Sequence, residues 1–480
     1  MLKTIVKKEL LENIFSYRFP LFALLCVVLI PLSMFVNNAQ YAKHLRDYGE
    51  QVRLAEVGAA GLTMQDVMAG RVAIKGFRRP ALLSIFDQGF ENALPRYYQF
   101  TQDGYTQGES ASGDESLLST QGKFDFVFLV QMVISLIGLL FASDVISGEK
   151  ESGTLRAMLS NRLPRDAVLI GKIGGGFGSL LAPFLVAFVL GVALLVPSAF
   201  PLFAGDTPAR LAVLALASSV FVLIYYVIGT MISASSAKAR TSLVAILLIW
   251  SGFQLVIPKL SDMLAALISP VRTETQVSLE KSLVNNTIET ETAKELGRQY
   301  DLIFGSAKPG AADDAKSPER QKWDPLRDDI QMRARENKAQ QIAAIEETYA
   351  QQKRRQQNLA VNLSLISPSA AFGRLAADIC ETGDLARTKY LEAVRSHQKA
   401  LDNALFGKVK RTLMMHKNGG MTMSFQAEPV DPKNLPKFTI SPASIPDTFK
   451  ENWRSLLALA FWLVAPFIVA YTRFRNYDVR

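Results

Sequence analysis

The chain is poor in the residues that build disulfide frameworks and metal sites. It has two cysteines and three histidines among 480 residues. Cys26 lies inside an apolar run and Cys380 stands alone, so the cysteines indicate no disulfide framework. His44, His397 and His416 are far apart in sequence and show no metal-ligand spacing. We therefore expect no metal ion and no cofactor bound by this chain.

The motifs of common nucleotide-binding and hydrolytic sites are also missing. The sequence contains no Gly-x-x-x-x-Gly-Lys-Ser/Thr loop, no His-Glu-x-x-His pattern and no Gly-x-Ser-x-Gly elbow. The glycine-rich run 171–178 lacks the spacing of a phosphate-binding loop and opens an apolar segment. Within it, Gly174 and Gly178 form Gly-x-x-x-Gly, which lets membrane helices approach closely. We expect no catalytic residues, and a helix-packing role for this glycine pair.

Charge is distributed unevenly along the chain. Hydrophobic residues make up 49% and charged residues 20%, yet the charges are missing from six long apolar stretches. The net charge of +9 does not indicate nucleic-acid binding, because many basic residues flank the apolar stretches, where membrane topology explains them. This pattern indicates a membrane protein with sizeable water-exposed parts.

The six apolar stretches are long enough to cross a bilayer as helices, because lipid offers the backbone no hydrogen-bond partners. We assign the transmembrane helices to residues 19–36, 124–144, 169–196, 211–236, 240–258 and 454–472. The charged segment from Lys3 to Arg18 is too long a preamble for a cleaved signal peptide, so we expect the first helix to be retained. The uncharged runs within these helices, such as 126–143 and 173–196, offer none of the buried charges that ion-driven transporters usually need. This absence favours an external source of energy.

The distribution of Lys and Arg predicts the orientation. With the N-terminus inside, the inner segments carry 14 Lys and Arg residues, whereas the loop 197–210 on the other side has only Arg210. The inner segments are 1–18, 144–172, 238–240 and 473–480. We expect a multi-pass protein of the bacterial inner membrane with both termini cytoplasmic, an amphipathic elbow helix over 1–18 and a short tail over 473–480.

Two long gaps, 37–123 and 259–453, then face outward. The first is mixed in composition and predicts only short helices. The second is rich in Ala, Gln, Glu, Lys and Arg, which predicts helices over 273–304 and 325–365, with a flexible tip over 305–324. Such a pair is either a hairpin that packs on its own neighbours or an arm that grips an extracytoplasmic protein. The expected fold is an all-α membrane protein with a mainly helical extracytoplasmic domain built from two inserts.

The most informative segment is the loop 145–168. It reads Ser-Gly-Glu-Lys-Glu-Ser-Gly-Thr-Leu-Arg-Ala-Met-Leu-Ser-Asn from Ser147 to Asn161. Gly153 permits a turn and Thr154 suits a helix N-cap. The apolar residues on one face of the resulting amphipathic helix are Leu155, Met158 and Leu159. Taken alone, these residues also fit a solvated helix that lies on the membrane surface.

This loop resembles the signature of type-2 ABC transporter permeases, Gly-Glu-Lys/Arg-Glu-x-Gly-Thr-Leu followed by Leu-Leu-Ser and a basic residue. The opening Lys7-Lys8-Glu9-Leu10, leading through Arg18-Phe19 into the first helix, resembles that family too. The resemblance implies an elbow helix at the N-terminus and a coupling helix in the loop that docks onto a separate ATPase subunit. It also implies ATP and Mg on that ATPase, and pairing with a second permease copy or a homologous permease.

The resemblance carries over to individual positions of the motif. Those that would touch the ATPase, or shape the helix that does, are Gly148, Glu149, Glu151, Gly153, Thr154 and Leu155. We expect Glu149 and Glu151 to make polar contacts and Leu155 to be a hydrophobic anchor.

A second similarity lies near the end of the second insert. The segments Leu365-Ile366-Ser367-Pro368, Ala371-Phe372 and Thr382-Gly383 are similar to a branch of these permeases that has long inserts after the first and fifth helices. Glu381 departs from this pattern, because a small residue is expected at its position.

These features predict a permease subunit that couples ATP hydrolysis by a separate ATPase to export, or to mechanical movement of its extracytoplasmic domain. The alternative is a membrane-anchored extracytoplasmic sensor or scaffold without transport, although the inner segments are short for an output domain. An intramembrane enzyme is a third reading, for which the spans offer no acid, nucleophile or metal set. The substrate stays open among peptides, lipids, polysaccharide precursors, copper-related factors and drugs.

The motif makes a first testable prediction. Reversing the charges of both Glu149 and Glu151 should uncouple ATP hydrolysis from transport while the six helices still assemble, because only contacts with the ATPase would be lost. Transport and ATP hydrolysis measured in the reconstituted complex check this, and unchanged transport would contradict it.

Overall fold

A computed structural model of the chain describes residues 2–60, 74–101, 104–108, 124–160, 164–198, 200–305, 317–404, 409–415, 421–427 and 436–477. The chain forms two compact units. The first consists of Met1–Pro258, Leu365–Thr412 and Ser424–Arg480, and the second of Lys259–Ser364 and Leu413–Met423.

Helices dominate the described residues. In chain order they are α1 (Leu2–Ile14), α2 (Arg18–Ala60), α3 (Phe126–Leu129), α4 (Ser135–Ala142), α5 (Ser147–Ser152), α6 (Thr154–Ser160), α7 (Arg165–Leu195), α8 (Thr207–Ser235), α9 (Ala239–Ser251), α10 (Ile257–Ile268), α11 (Glu274–Phe304), α12 (Pro318–Ser364), α13 (Pro368–Ile379), α14 (Asp384–Ala404), α15 (Ile445–Glu451) and α16 (Trp453–Arg475). Two π-helical turns join neighbouring helices, π1 (Val130–Ile134) between α3 and α4 and π2 (Gly252–Val256) between α9 and α10. Short 3-10 helices cover Leu82–Ile85 and Val196–Ser198.

Six helical stretches are long and apolar enough to cross a membrane, which confirms the predicted membrane protein with six apolar helices. They are Arg18–Val57, Phe126–Ser152, Arg165–Leu195, Thr207–Ser235, Ala239–Ile268 and Trp453–Arg475. The first is much longer than its predicted apolar segment, which ends at residue 36. Residues 37–57 continue the helix because they contain no proline and many good helix formers.

The central helix of the first unit is α8. It contacts α4, α7, α9, α13 and α16, and its side chains Phe221, Tyr225 and Tyr226 are completely buried. A helix that is apolar on every side is expected to lie inside a bundle. This position makes α8 the helix around which the others are arranged.

Glycines let α1 pack closely on α7. A Cβ atom at Gly171 would lie 2.6 Å from Cγ2 of Ile5, and one at Gly175 would lie 2.7 Å from the carbonyl oxygen of Val6. Gly174 and Gly178, the pair expected to pack helices, face the same helix at ordinary distances, 3.7 Å from Val6 and 3.6 Å from Leu10. The four-residue spacing is therefore used twice, and the close approach occurs at Gly171 and Gly175.

The two inserts share a small α/β core, which the sequence did not predict. Strands β1 (Ile74–Phe77), β2 (Tyr97–Thr101) and β3 (Gly104–Gln107) form an antiparallel sheet in that order. Tyr98 and Phe100 of β2 pack against Tyr390, Val394 and Leu401 of α14. This core joins β2, which precedes the second apolar helix, to α14, which follows the fifth. A further pair of strands, β4 (Val409–Met415) and β5 (Met421–Ala427), follows α14.

The second unit contains the helical hairpin expected from its composition, formed by α11 and α12. A capping box at Thr273 begins α11, and Lys281 forms an ion pair of 2.5 Å with Glu346 across the hairpin. The second helix begins earlier than predicted, because Ser317 accepts the first amides and Pro325 lies within α12. Pro325 was expected to start this helix, but the helix begins about two turns earlier, at Pro318.

Glu381, the residue that departs from the family pattern, has a positive φ of 59°. It follows the end of α13, where a left-handed residue usually closes a helix and glycine is preferred. This explains the expected small residue. The strain is offset by an ion pair of 3.1 Å between its carboxylate and Arg210. Burial raises the pKa of Glu381, although the charge of Arg210 opposes that shift.

The contact between α1 and α7 gives a second prediction. Gly175→Ala should lower the apparent melting temperature, because the added methyl group would overlap Val6 and Glu9 of α1, and overpacking of this kind costs about 1–3 kcal/mol. Gly174→Ala is the matched control, since it adds the same group at an ordinary distance. Fluorescence-detected size-exclusion chromatography after heating measures both, and equal melting temperatures would contradict the prediction.

Candidate functional site

The loop between the second and third apolar stretches forms two short helices, α5 and α6, with Gly153 between them. Gly153 has a φ of 76°, a left-handed conformation that glycine adopts without steric cost. The predicted turn is therefore present. Thr154 is the first residue of α6 and its hydroxyl donates to the carbonyl of Glu149, while the carbonyl of Gly153 accepts from Ala157. Gly153, and not Thr154, therefore has the position of the N-cap.

A buried lysine connects this loop to two other helices. Nζ of Lys172, in α7, lies 2.8 Å from Oε1 of Glu9 in α1 and 2.7 Å from Oε1 of Glu149 in α5. The lysine side chain is only 1% exposed. We call these three residues the Glu9–Lys172–Glu149 triad. Two carboxylates compensate a buried ammonium group, so the triad fixes α1, α5 and α7 relative to one another.

The next two residues of the loop bind the turn between α8 and α9. The Lys150 ammonium donates to the carbonyl of Ala234 and, over 3.2 Å, to that of Ser236, at the end of α8. A carboxylate oxygen of Glu151 accepts from the amide of Ala239 at 3.1 Å, at the start of α9. A cation at a helix C-terminus and an anion at an N-terminus both complement the helix dipole.

The serine of the same motif is bonded to α8 as well. The hydroxyl of Ser233 accepts from the amides of Ile146 and Ser147, at 3.1 and 2.9 Å. All of these contacts come from a stretch of about six residues. The charged motif Glu149-Lys150-Glu151 thus binds α7, α8 and α9 in turn, and a displacement of α5 would reach three apolar helices directly.

The residues expected to contact an ATPase occupy two kinds of position. Glu151, Gly153 and Thr154 are exposed. Leu155 is completely buried in the core of its own chain, so as a hydrophobic anchor it fixes α6 from within and does not present an apolar contact to a partner. Glu149 is mostly buried in the triad, and its Oε2 has no hydrogen-bond partner among the residues that the structure describes.

Gly148 also has a packing role. A Cβ atom there would lie 3.3 Å from Cβ of Asp144, which is tighter than usual. Asp144 in turn forms an ion pair of 2.9 Å with Arg18 at the start of α2. The small residue of the motif therefore allows the chain to turn from α4 into α5 beside this ion pair.

Sequence reasoning did not identify Glu9 and Lys172 as partners. They are 163 residues apart, and the charge count only places Lys172 in the inner segment 144–172. The position of Lys172 in the sequence could have indicated its burial. It follows Gly171, where α1 approaches α7 most closely, and it precedes a long uncharged run. A lysine at a helix-packing position needs a carboxylate partner, because an unpaired buried charge is costly.

The triad also changes the expected effect of charge reversal. A lysine at Glu149 would face Lys172 inside the chain, so assembly of the helices should suffer along with coupling. Glu151 is exposed, and a lysine there would lose one hydrogen bond to a helix N-terminus. The two acids of the motif are therefore not equivalent, contrary to the expectation from the sequence.

A third prediction concerns the triad. Lys172→Met should destabilise the chain by about 3–5 kcal/mol, because it leaves the buried Glu9 and Glu149 charges without their partner. Lys7→Met, an exposed lysine of α1, is the control. Combining Lys172→Met with Glu9→Gln and Glu149→Gln should restore much of the loss. Thermal unfolding of the purified variants measures this, and a Lys172→Met variant as stable as Lys7→Met would refute the role of the triad.

The chain matches one family model over nearly its whole length. Residues 3–479 match the model described as ABC-2 family transporter protein. A comparison with curated proteins gave no match. The matched range contains the six apolar helices. The chain therefore belongs to the ABC-2 transporter family, as a membrane-spanning permease subunit.

Proposed function

We propose that the chain couples ATP hydrolysis by a separate ATPase subunit to export, or to movement of its extracytoplasmic part. The observation that carries this proposal is the set of contacts made by α5. Its three charged residues bind Lys172 of α7, the end of α8 and the start of α9. Membership of the ABC-2 family implies an ATPase partner in the complex, and a loop with these contacts is suited to receive its motion.

In this proposal the ATPase contacts the exposed face of α6. The exposed residues there include Gly153, Thr154 and Arg156, whereas Leu155 is buried beneath them. A push on this face would be passed to the core of the first unit, because Leu155 fixes α6 there. The Glu9–Lys172–Glu149 triad would pass the motion to α7 and α1, and Lys150 with Glu151 would pass it to the α8–α9 turn. ATP and Mg belong to the partner.

The orientation follows from charge. We infer that the loop and both termini are cytoplasmic in a bacterial inner membrane, since the inner segments carry 14 Lys and Arg residues and the loop 197–210 only one. The inserts then face outward together, in agreement with their shared core. A second permease copy, or a homologous permease, would complete the complex.

An extracytoplasmic sensor or scaffold without transport is the second candidate. The observation that favours it is the long hairpin of α11 and α12, whose helices span 31 and 47 residues. Such a hairpin offers more surface than a transport pathway needs, and an extracytoplasmic protein is its expected partner. The two candidates differ in whether the chain binds an ATPase.

A fourth prediction tests the ATPase contact. Arg156→Glu should reduce the ATPase that copurifies with the chain by about tenfold, equivalent to about 1.4 kcal/mol, because it reverses a charge in the proposed interface. Arg335→Glu, an exposed arginine of α12, is the matched control and should have no effect. Both variants should keep the parent's melting temperature, because both arginines are exposed.

The test uses the chain coexpressed with the ATPase from its own gene neighbourhood. Equal recovery of ATPase with Arg156→Glu and Arg335→Glu would exclude α6 as the docking helix. No copurifying ATPase with the parent chain would favour the sensor or scaffold.

A further inference from the structure

The interior of the first unit contains a group of polar side chains where the surrounding residues are apolar. They come from π1, α4, α8, α9, π2 and α13 and are Gln131, Ser135, Tyr225, Trp250, Gln254 and Ser369. They are bonded to one another, and several are fully buried. Polar groups inside an apolar bundle are costly unless they are paired, so their position needs an explanation.

Two π-helical turns, π1 and π2, contribute to this group of polar side chains. A π-helical turn shifts the backbone hydrogen bonds by one residue relative to an α-helix. The carbonyl of Gln131, in π1, accepts from Nε2 of Gln254, in π2, at 2.5 Å, and from the hydroxyl of Ser135. Trp250 donates to the same hydroxyl at 3.1 Å. The two turns therefore bind each other, and π-helical turns often mark functional sites.

The same polar groups hold the short helix α13. Nε2 of Gln131 donates to the carbonyl of Ser369 at 2.8 Å, and the Ser369 hydroxyl lies 2.9 Å from that of Tyr225. Ser367 donates to the carbonyl of Phe253, in π2, at 2.7 Å. The first turn of α13 is thus bonded to both π-helical turns and to α8.

This arrangement depends on a glycine. A Cβ atom at Gly373 would lie 2.5 Å from Nε2 of Gln131. The side-chain amide of Gln131 reaches the carbonyl of Ser369 because Gly373 has no side chain in its way. An alanine there would favour the helix itself, since alanine has the higher helix propensity, and would still push the Gln131 side chain away.

The two ends of α13 are held in different ways. At its C-terminal end, Arg210 is 2% exposed, pairs with Glu381 at 3.1 Å and donates to the carbonyl of Ile379. Asp378 accepts from Asn452 at 2.7 Å. At the N-terminal end all of the hydrogen bonds above are between neutral groups. Breaking a neutral hydrogen bond costs less than breaking a buried ion pair, which leaves uncompensated charges.

The length of α13 is also informative. Its 12 residues extend about 18 Å, which is too short to cross a bilayer core of about 30 Å. It nevertheless lies buried against α8 and α16, with Phe372 stacked on Phe221 at a centroid distance of 4.3 Å. The helical path from Gln131 to Ala142, the last residue of α4, is about 16 Å long.

We propose that α13 is a movable helix, anchored at Arg210 and held in the bundle by the hydrogen bonds of Gln131, Tyr225 and Ser369, which we call the latch. Opening breaks the latch and swings the first turn of α13 out of the bundle while the Arg210 end stays in place. The latch joins π1, through Gln131, to α8 and to the first turn of α13. The latch does not depend on the proposed function. The proposed function concerns only whether the ATPase opens the latch.

The test measures the exposure of a cysteine in α13. Ala371 is completely buried, so Ala371→Cys in the full-length chain, in lipid nanodiscs, should react slowly with a water-soluble maleimide. The parent chain, whose Cys26 and Cys380 are both buried, gives the background. Adding Gly373→Ala should raise the labelling rate by about tenfold or more, because it displaces Gln131 from Ser369.

Gly297→Ala is the matched control, since it adds a methyl group to a helical glycine with nothing within 4 Å. It should leave the labelling rate unchanged. Tyr225→Phe, which removes one hydroxyl of the latch and little volume, is the second latch variant and should also raise the rate. It decides the question if Gly373→Ala fails to fold. Latch variants that fold and label as slowly as Gly297→Ala would overturn the proposal.

A last arm separates the latch from the proposed function. With the ATPase and ATP present, labelling of Ala371→Cys should become faster than with the chain alone. If the latch variants respond and ATP has no effect, the latch stands and the proposed coupling fails. If ATP accelerates labelling while the latch variants do not, coupling stands and the latch is refuted.

Discussion

The arrangement of α1, α5 and α7 depends on a single buried ammonium group. Lys172 lies where α1 approaches α7 over glycines, and its charge is compensated by one carboxylate from α1 and another from α5. Burying an ion pair seldom adds much stability compared with apolar packing, but removing one partner is costly. Such an arrangement is suited to fix the geometry of three segments. The N-terminal helix, the loop and the third apolar helix are thereby tied into one unit.

The loop that contains α5 and α6 contacts the end of α8 and the start of α9. Lys150 and Glu151 satisfy the end of α8 and the start of α9, where backbone groups have no partners within their own helices. The signature sequence is thus mostly occupied with its own chain. The exposed part that remains for a partner is the face of α6 beyond Gly153. This division between inward-facing charges and an outward-facing short helix is consistent with a loop that receives force and distributes it.

The sequence predicted well those features that depend on local composition. Apolar length predicted the six helices, and the spacing of Gly153 predicted the turn inside the loop. Features that depend on distant pairing were missed. Glu9 is 163 residues from Lys172, and Tyr390 is 295 residues from Pro95, to whose carbonyl it donates a hydrogen bond. Strands of four or five residues in the first insert have too little periodicity to indicate a sheet, and their packing partner α14 lies in the other insert.

The core shared by the two inserts has a consequence for how the protein is made. The strands between Ile74 and Gln107 are synthesised long before α14, and Tyr390 follows Pro95 by 295 residues. At about 5–20 residues per second, roughly 15–60 seconds pass before the completing helix emerges. During that interval the sheet has exposed edges and an uncovered aromatic face, a state prone to aggregation. Four more apolar helices are synthesised before α14 can cover this face.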